Sequence, residues 1–210
     1  RSGGAIYISK GSDNCVIFNS TFKGNHLTNM TAYHNGGAID CVGDNLTVNM
    51  SSFENNGANT GGAIYVGTGS SQAHILASNF TSNYAYADGG AIGLKADTLI
   101  INESIFKSNT AIGSGGAVYV GGIGENNTIH YSVFEDNQAG NHGGAFDWLA
   151  KAGEIIHSNF TKNSAEYGGA VYLNGVSSKS RISDVIFKEN TATENGGAID
   201  PGLWKSIVIA

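Results

Sequence analysis

Residues 89–109 read Gly89-Gly90-Ala91-Ile92-Gly93-Leu94-Lys95-Ala96-Asp97-Thr98-Leu99-Ile100-Ile101-Asn102-Glu103-Ser104-Ile105-Phe106-Lys107-Ser108-Asn109. Gly-Gly-Ala-Ile opens the stretch and Phe-x-x-Asn closes it. The apolar residues beside each motif follow a period of two, which is strand spacing rather than helix spacing. Reading outward, the two motifs alternate along the whole chain. Gly-Gly-Ala followed by an apolar residue starts at Gly3, Gly36, Gly61, Gly89, Gly115, Gly143, Gly168 and Gly196. Between them stand Phe22/Asn25, Phe53/Asn56, Phe80/Asn83, Phe106/Asn109, Phe134/Asn137, Phe160/Asn163 and Phe187/Asn190. After a first interval of 33, lengthened between Asn25 and Asn35, the glycine spacing is 25, 28, 26, 28, 25 and 28.

Stacking the repeats gives columns. Ile6, Ile39, Ile64, Ile92, Val118, Phe146, Val171 and Ile199 follow Gly-Gly-Ala, and a second column two residues later is mostly apolar. Ile17, Val48, Ile75, Ile101, Ile129, Ile155 and Ile182 precede each Phe by five residues. Three short strands in a coil of about 26 residues leave no room for a helix. The expected fold is therefore all-β: a parallel β-helix of about eight coils, each strand pairing with its copy one coil on. Right-handed winding follows from the general rule for parallel crossovers. Phe rings should stack inside at ~4.8 Å. The asparagines should form a ladder at a bend, with serines in a column two residues before Phe. Counted from Gly-Gly to Phe, the spacing alternates 19, 17, 19, 17, 19, 17, 19, so the repeating unit is a pair of coils. The two extra residues fall in turns such as 121–127 and 174–180, and an even insertion keeps the same side chains inward.

Glycine is 31 of 210 residues and proline 1, without the triplet period of collagen. Twenty aromatic residues (9 Phe, 9 Tyr, 2 Trp) supply a core that a disordered linker lacks. A net charge of −6 with no basic run disfavours nucleic acid and anionic membrane surfaces as partners. No apolar run reaches the length of a spanning helix, so no membrane insertion is expected of this segment. Residues 1–210 are read as one solenoid segment of a longer surface protein, because no cap is recognisable at either end.

Repeated Gly-Gly-Ala-Ile alternating with Phe-x-x-Asn resembles the passenger domains of chlamydial polymorphic outer-membrane proteins. It is similar also to the adhesin-like surface proteins of methanogenic archaea, and the Asn/Thr-rich, cysteine-poor composition leans toward that archaeal kind. The resemblance covers essentially the whole chain. It implies an extracellular, cell-surface adhesin or stalk that meets glycans or proteins of another cell, with no catalytic residues and no cofactor. Two further readings stand beside the adhesin: a purely structural stalk, and a polysaccharide-active hydrolase or lyase.

The candidate residues lie mostly in one outward column. Tyr7, Tyr65, Tyr119 and Tyr172 recur every second coil and alternate with Asp40, Gly93, Asp147 and Asp200. Aromatic rings beside hydrogen-bonding groups suit glycan stacking, so Tyr65, Tyr119, Tyr172 and Asp147 are the expected ligand-binding residues. The plain alternative is that Tyr is a good strand residue on a pleated surface. Asp147 and Asp200 should lie ~9.6 Å apart along the axis, outside the spacing for retaining hydrolysis and marginal for inversion. With only Arg1 and Arg181 as arginines, a lyase site lacks a sugar-carboxylate partner, and solvated acidic side chains are expected. His26, His34, His74, His130, His142 and His157 fall in different columns, so no metal site is expected. Gly-Gly-Ala-Ile-Asp has only a superficial likeness to calcium-binding nonapeptides, whose period is different. Cys15 and Cys41 flank one corner and both face inward, giving two buried thiols or, alternatively, a disulfide. Among the Asn-x-Ser/Thr sites, Asn29, Asn45 and Asn126 fall in expected loops and are the glycosylation candidates.

Overall fold

The computed structural model describes residues 3–27, 34–121, 124, 126–149, 153–173, 180–202 and 207–209. The described residues form strands and turns without a helix. They build a parallel β-solenoid of four sheets, with eight, eight, seven and six strands. We name the sheets by the residues that fill them. The glycine-corner sheet runs from Ile6–Ile8 to Ile199–Asp200, and the isoleucine sheet from Val16–Phe18 to Ile207–Ile209. The phenylalanine sheet runs from Thr21–Lys23 to Ile186–Lys188. A fourth, alanine sheet of two-residue strands runs from Gly57–Ala58 to Thr191–Ala192.

Two expectations change in number. Each complete coil has four strands instead of three, because a short strand follows each asparagine. Six coils contribute to all four sheets, with an incomplete coil before and after them, so the full turns number six rather than eight. The registers keep every column aligned: Ile64 pairs Ile92, which pairs Val118, and Phe80 pairs Phe106, which pairs Phe134. Ile75, Ile101, Ile129 and Ile155 also stay in phase, although coils of both lengths alternate through them. Of the turns that hold the extra residues, 121–127 is described except for 122, 123 and 125, and 174–180 lies outside the described residues except for Ser180.

The inward columns make one continuous core. Phe53, Phe80, Phe106, Phe134 and Phe160 are fully buried. Their rings stack at 4.7–4.8 Å with planes within 3° of parallel, the spacing that strand pairing imposes. Beside them runs an asparagine ladder from Asn25 to Asn190. Asn109 Oδ1 accepts from the backbone N–H and the Nδ2 of Asn83, both at 3.0 Å. Asn109 Nδ2 donates to Asn137 Oδ1 and to the Phe80 carbonyl, also at 3.0 Å. Every amide group of this buried side chain is thus used, which is what makes burying it tolerable. The serine column forms a second ladder: Ser104 Oγ accepts from the Ser78 N–H at 3.2 Å and donates to the Asn102 carbonyl at 2.9 Å.

Both ladders hold bends made at positive φ. Ahead of the serine column, whose last place is filled by Val185, stand Asn19, Met50, Ala77, Glu103, Tyr131, His157 and Asp184, with φ between 43° and 54°. Ahead of the asparagines stand Gly24, Asn55, Ser82, Ser108, Asp136, Lys162 and Glu189. This left-handed region disfavours side chains with a Cβ, yet most of these residues are not glycine. Where a ladder residue follows, it holds the bend whatever occupies it, and the bend persists at Asp184, where Val185 takes the place of the serine. Glycine is demanded elsewhere, at the Gly-Gly corner. Gly115 has φ +65°, and a Cβ on Gly116 would strike the Gly144 carbonyl oxygen and the Gln138 backbone.

Candidate functional site

The outward column of the glycine-corner sheet is in the expected register, Tyr65–Gly93–Tyr119–Asp147–Tyr172–Asp200. Its exposure is not as expected. Tyr65 is 9% exposed and Asp147 only 1%, Tyr119 and Tyr172 are half-buried, and only Tyr7, at 56%, is open to solvent. The turn leading into each Gly-Gly pair leans over this face. At Gly93 an added Cβ would lie 2.6 Å from Thr60 Cγ2 and 2.9 Å from the Gly61 nitrogen. The tyrosine rings also lie along the sheet rather than standing off it. A Cβ at Gly67 would sit 3.3 Å from the Tyr65 ring, and one at Gly121 would sit 2.6 Å from the Tyr119 ring. The glycine after each Tyr-Val is therefore the floor for the ring, and Tyr65 and Tyr119 serve packing. Burial pushes the Tyr119 hydroxyl up to about 12, helped by Asp88 and Asp147.

Asp147 departs furthest from its sequence reading. It is not a solvated carboxylate but lies under the turn that carries Ser114, between Tyr119 and Tyr172. The Ser114 side chain hydrogen-bonds the carboxyl, and Asp147 Oδ1 has no hydrogen-bond partner. Ser114 Oγ is also 3.3 Å from His142 Nδ1, and the Ser114 N–H donates to Asp88 Oδ1 at 2.8 Å. Burial pushes the Asp147 carboxyl up to about 8, opposed by the Ser114 hydrogen bond and reinforced by the Asp88 charge. Burial thus favours the neutral form of Asp147, and the carboxyl is shut away from any polysaccharide. It cannot pair with Asp200 for hydrolysis, because Tyr172 stands between them.

The linkage has a definite sign. A carboxyl whose folded value exceeds its unfolded one contributes stability that is complete below the ordinary value, 3.8, and lost as pH rises through about 8. Burial sets this, with Asp88 the one charged contributor and the Ser114 side chain and Trp148 backbone hydrogen bonds opposing; the uncharged Tyr119 and Tyr172 flank the carboxyl in the column, and the His142 ring stacks on Tyr172. The melting temperature should therefore fall between pH 5 and pH 9 in the parent. It should fall less in Asp147→Asn, which has no proton to lose. Parallel declines in the two proteins would remove Asp147 as the cause.

Tyr172 is different, because its exposed part belongs to an aromatic cluster. The His142 ring stacks on it at 4.2 Å with planes 20° apart, and Tyr167 lies 5.5 Å from His142. The sequence reading missed His142 and Tyr167. They sit 30 and 5 residues before Tyr172, on the overhanging turns of consecutive coils, so no periodic pattern joins them. A second exposed cluster lies where the isoleucine sheet bends toward the phenylalanine sheet. Tyr131 stacks on His157 at 5.1 Å, His130 Nε2 is 3.1 Å from Glu154, and His157 Nδ1 is 3.9 Å from Asp184. Among the described residues no group of three or more His, Cys, Asp or Glu side chains is arranged to hold a metal ion.

The remaining candidates are placed as follows. Cys15 is half-buried, Cys41 is buried, and both are free thiols. Burial pushes the Cys41 thiol up to about 11. Asn45 is half-buried, and its Nδ2 donates to Asn14 Oδ1 at 3.0 Å, so its amide is already engaged. Asn126 is exposed at φ 63°, and Asn29 lies outside the described residues.

A parallel β-solenoid of coils marked by Gly-Gly-Ala and Phe-x-x-Asn is the class that this repeat and this fold define. Residues 51–67, 103–121 and 184–200 match the family model of the Chlamydia polymorphic membrane protein (Chlamydia_PMP) repeat. The chain is built of repeats of that type. It is 31% identical over 79% of its length to the "Probable outer membrane protein pmp6" of Chlamydia pneumoniae, covering 12% of that protein. It is 29% identical over 94% of its length to the "Probable autotransporter YfaL" of Escherichia coli, covering 16% of it. It is also 34% identical over 73% of its length to "Metabotropic glutamate receptor-like protein R" of Dictyostelium discoideum, covering 10% of it. The chain thus spans a small part of each relative. No solved structure matches. The cell-surface location expected from the sequence agrees with outer-membrane and autotransporter relatives. The lean toward archaeal adhesin-like proteins is corrected, since the Pmp and autotransporter relatives are bacterial, and nothing in the comparisons supports glycosylation.

Proposed function

We propose that this solenoid is part of a cell-surface adhesin whose side faces attach to glycans or proteins of another cell. The observation that carries the reading is the half-exposed aromatic cluster of His142, Tyr167 and Tyr172, where rings from two overhanging turns meet the outward tyrosine column. Rings that do not fill the core, beside the carboxylates Glu166 and Asp200, offer a stacking surface with hydrogen-bond acceptors. Such a surface is shallow, so each contact is weak and attachment depends on many copies. With Asp147 buried and Tyr172 between it and Asp200, that pair is not available for glycoside hydrolysis, which favours binding over catalysis.

Changing Tyr172 to Ser and His142 to Ala together should lower binding to a glycan panel and to cultured cells by ~10-fold or more, a loss of ~1.4 kcal/mol. The melting temperature should change little, because both side chains are half-exposed. Tyr65→Ser is the contrasting variant: it should lower the melting temperature without specific loss of binding in the protein that remains folded. Unchanged binding in the Tyr172/His142 variant would leave the structural stalk as the better reading.

A further inference from the structure

The outer face of the phenylalanine sheet carries a second rhythm, independent of the two-coil unit. The residue after each Phe is Lys23, Glu54, Thr81, Lys107, Glu135, Thr161 and Lys188 in seven successive coils. The order is positive, negative, neutral, repeated every three coils. The residue before each Phe, on the same face, is Thr21, Ser52, Asn79, Ile105, Val133, Asn159 and Ile186. Ile105 is 44% exposed and Ile186 59%, so apolar side chains stand in solvent beside the charges. Pairing within the chain accounts for part of the pattern, through Lys23–Glu54 at 2.8 Å and Lys107–Glu135 at 3.1 Å. It does not account for a neutral threonine at every third coil or for exposed isoleucine next to lysine.

We propose that this face docks a second copy of the chain, packed antiparallel about a two-fold axis between the coils of Lys107 and Glu135. A two-fold axis lying in the interface and perpendicular to the solenoid reverses the coil order but keeps each column opposite itself. A positive–negative–neutral repeat read backwards and shifted is its own complement. In this register Lys107 meets Glu135 of the second copy and Glu135 meets its Lys107. Glu54 meets Lys188 and Thr81 meets Thr161, each twice by symmetry. The column before Phe then brings Ile105 against Val133, Asn79 against Asn159 and Ser52 against Ile186. The next column places Ser108 opposite Asp136, Ser82 opposite Lys162 and Asn55 opposite Glu189, so no like charges face each other. Both copies share the 4.8 Å coil spacing, so the match holds across six coils. Opposite charges in this arrangement set register and orientation more than raw affinity, and salt should weaken them. This partner goes beyond the attachment proposed above and does not depend on it.

Sedimentation of the 210-residue chain should show a monomer–dimer equilibrium that weakens as salt is raised. Lys107→Glu alone, or Glu135→Lys alone, should raise the dissociation constant by ~10-fold or more, since each sets like charges opposite one another twice. An equimolar mixture of the two variants should restore dimerisation, because every such contact is again between opposite charges. Pairing within one chain cannot produce that rescue. Thr81→Cys combined with Thr161→Cys gives a second measurement that leaves the charges intact. Oxidised glutathione should then yield covalently linked dimers. A parent that stays monomeric at every concentration, a mixture no more dimeric than its components, or a cysteine pair that fails to cross-link would each overturn the proposal.

Discussion

Gly116→Ala should cost more than ~3 kcal/mol, or prevent folding, although it adds a single methyl group. Overpacked cores usually relax by moving side chains. Here the added Cβ strikes backbone on the neighbouring coil, the Gly144 carbonyl and the Gln138 peptide, and neither can rotate away. Those residues are themselves tied into the coil-to-coil hydrogen bonds: the Ala145 N–H of the Gly144–Ala145 peptide donates to the Ala170 carbonyl, and the Gln138 N–H to the Asn109 carbonyl, each at 2.9 Å. Relief requires two coils to separate at the corner. Gly24→Ala is the matched control. It sits at φ +66° with nothing within 4 Å of a built Cβ, in a column where other coils already hold Asn55, Ser82 and Ser108. That change should cost about 1 kcal/mol, the strain of a left-handed residue. Urea unfolding of both variants decides the matter. Similar losses at the two positions would mean that the corner flexes more than its packing indicates.

Phe106→Ala should cost ~3–5 kcal/mol, the range for emptying a buried phenylalanine site. The Phe106 ring is buried and loses two stacked neighbours, Phe80 and Phe134, each at 4.8 Å. Collapse into the gap is limited because the hydrogen-bond ladders on either side hold the coils at fixed spacing. Phe22→Ala should cost distinctly less, since Phe22 is only partly buried and stacks on one side. Guanidinium unfolding of the two variants tests the order. A loss below ~1 kcal/mol at Phe106 would contradict the burial of the whole column.

The coil was legible because its two motifs are physically stringent. A corner that tolerates no Cβ and a ring that must stack on its copy leave few alternatives, and both recur at one spacing. The fourth strand was not legible. Its inward residue is Ala58, Ala85, Ala111, Ala139, Ala165 or Ala192, and a two-residue strand centred on alanine carries almost no hydrophobic signal. The direction of the tyrosine column was read correctly and its burial was not. What covers Tyr65 and Asp147 is the turn before the glycines, whose Asn, Thr, Asp, Ser and His residues carry no periodicity. The glycine in Tyr-Val-Gly at 65–67 and 119–121 was the available sign that the ring lies flat. The left-handed bends were hidden for a similar reason, because Met50, Glu103 and Tyr131 are not residues that announce one.

Those bends have a consequence for how such a surface changes over time. Seven successive coils place Asn19, Met50, Ala77, Glu103, Tyr131, His157 and Asp184 at the same corner with nearly the same φ, and these side chains share no chemistry. In six of these coils a ladder serine follows and holds the backbone, in the seventh Val185 follows, and in none is the side chain specified. A polar, acidic, aromatic or sulfur-containing group can therefore replace another along this edge at a local strain of ~1–2 kcal/mol, with core and hydrogen-bond rows untouched. Such a seam lets the outer edge of the solenoid vary without renegotiating the fold.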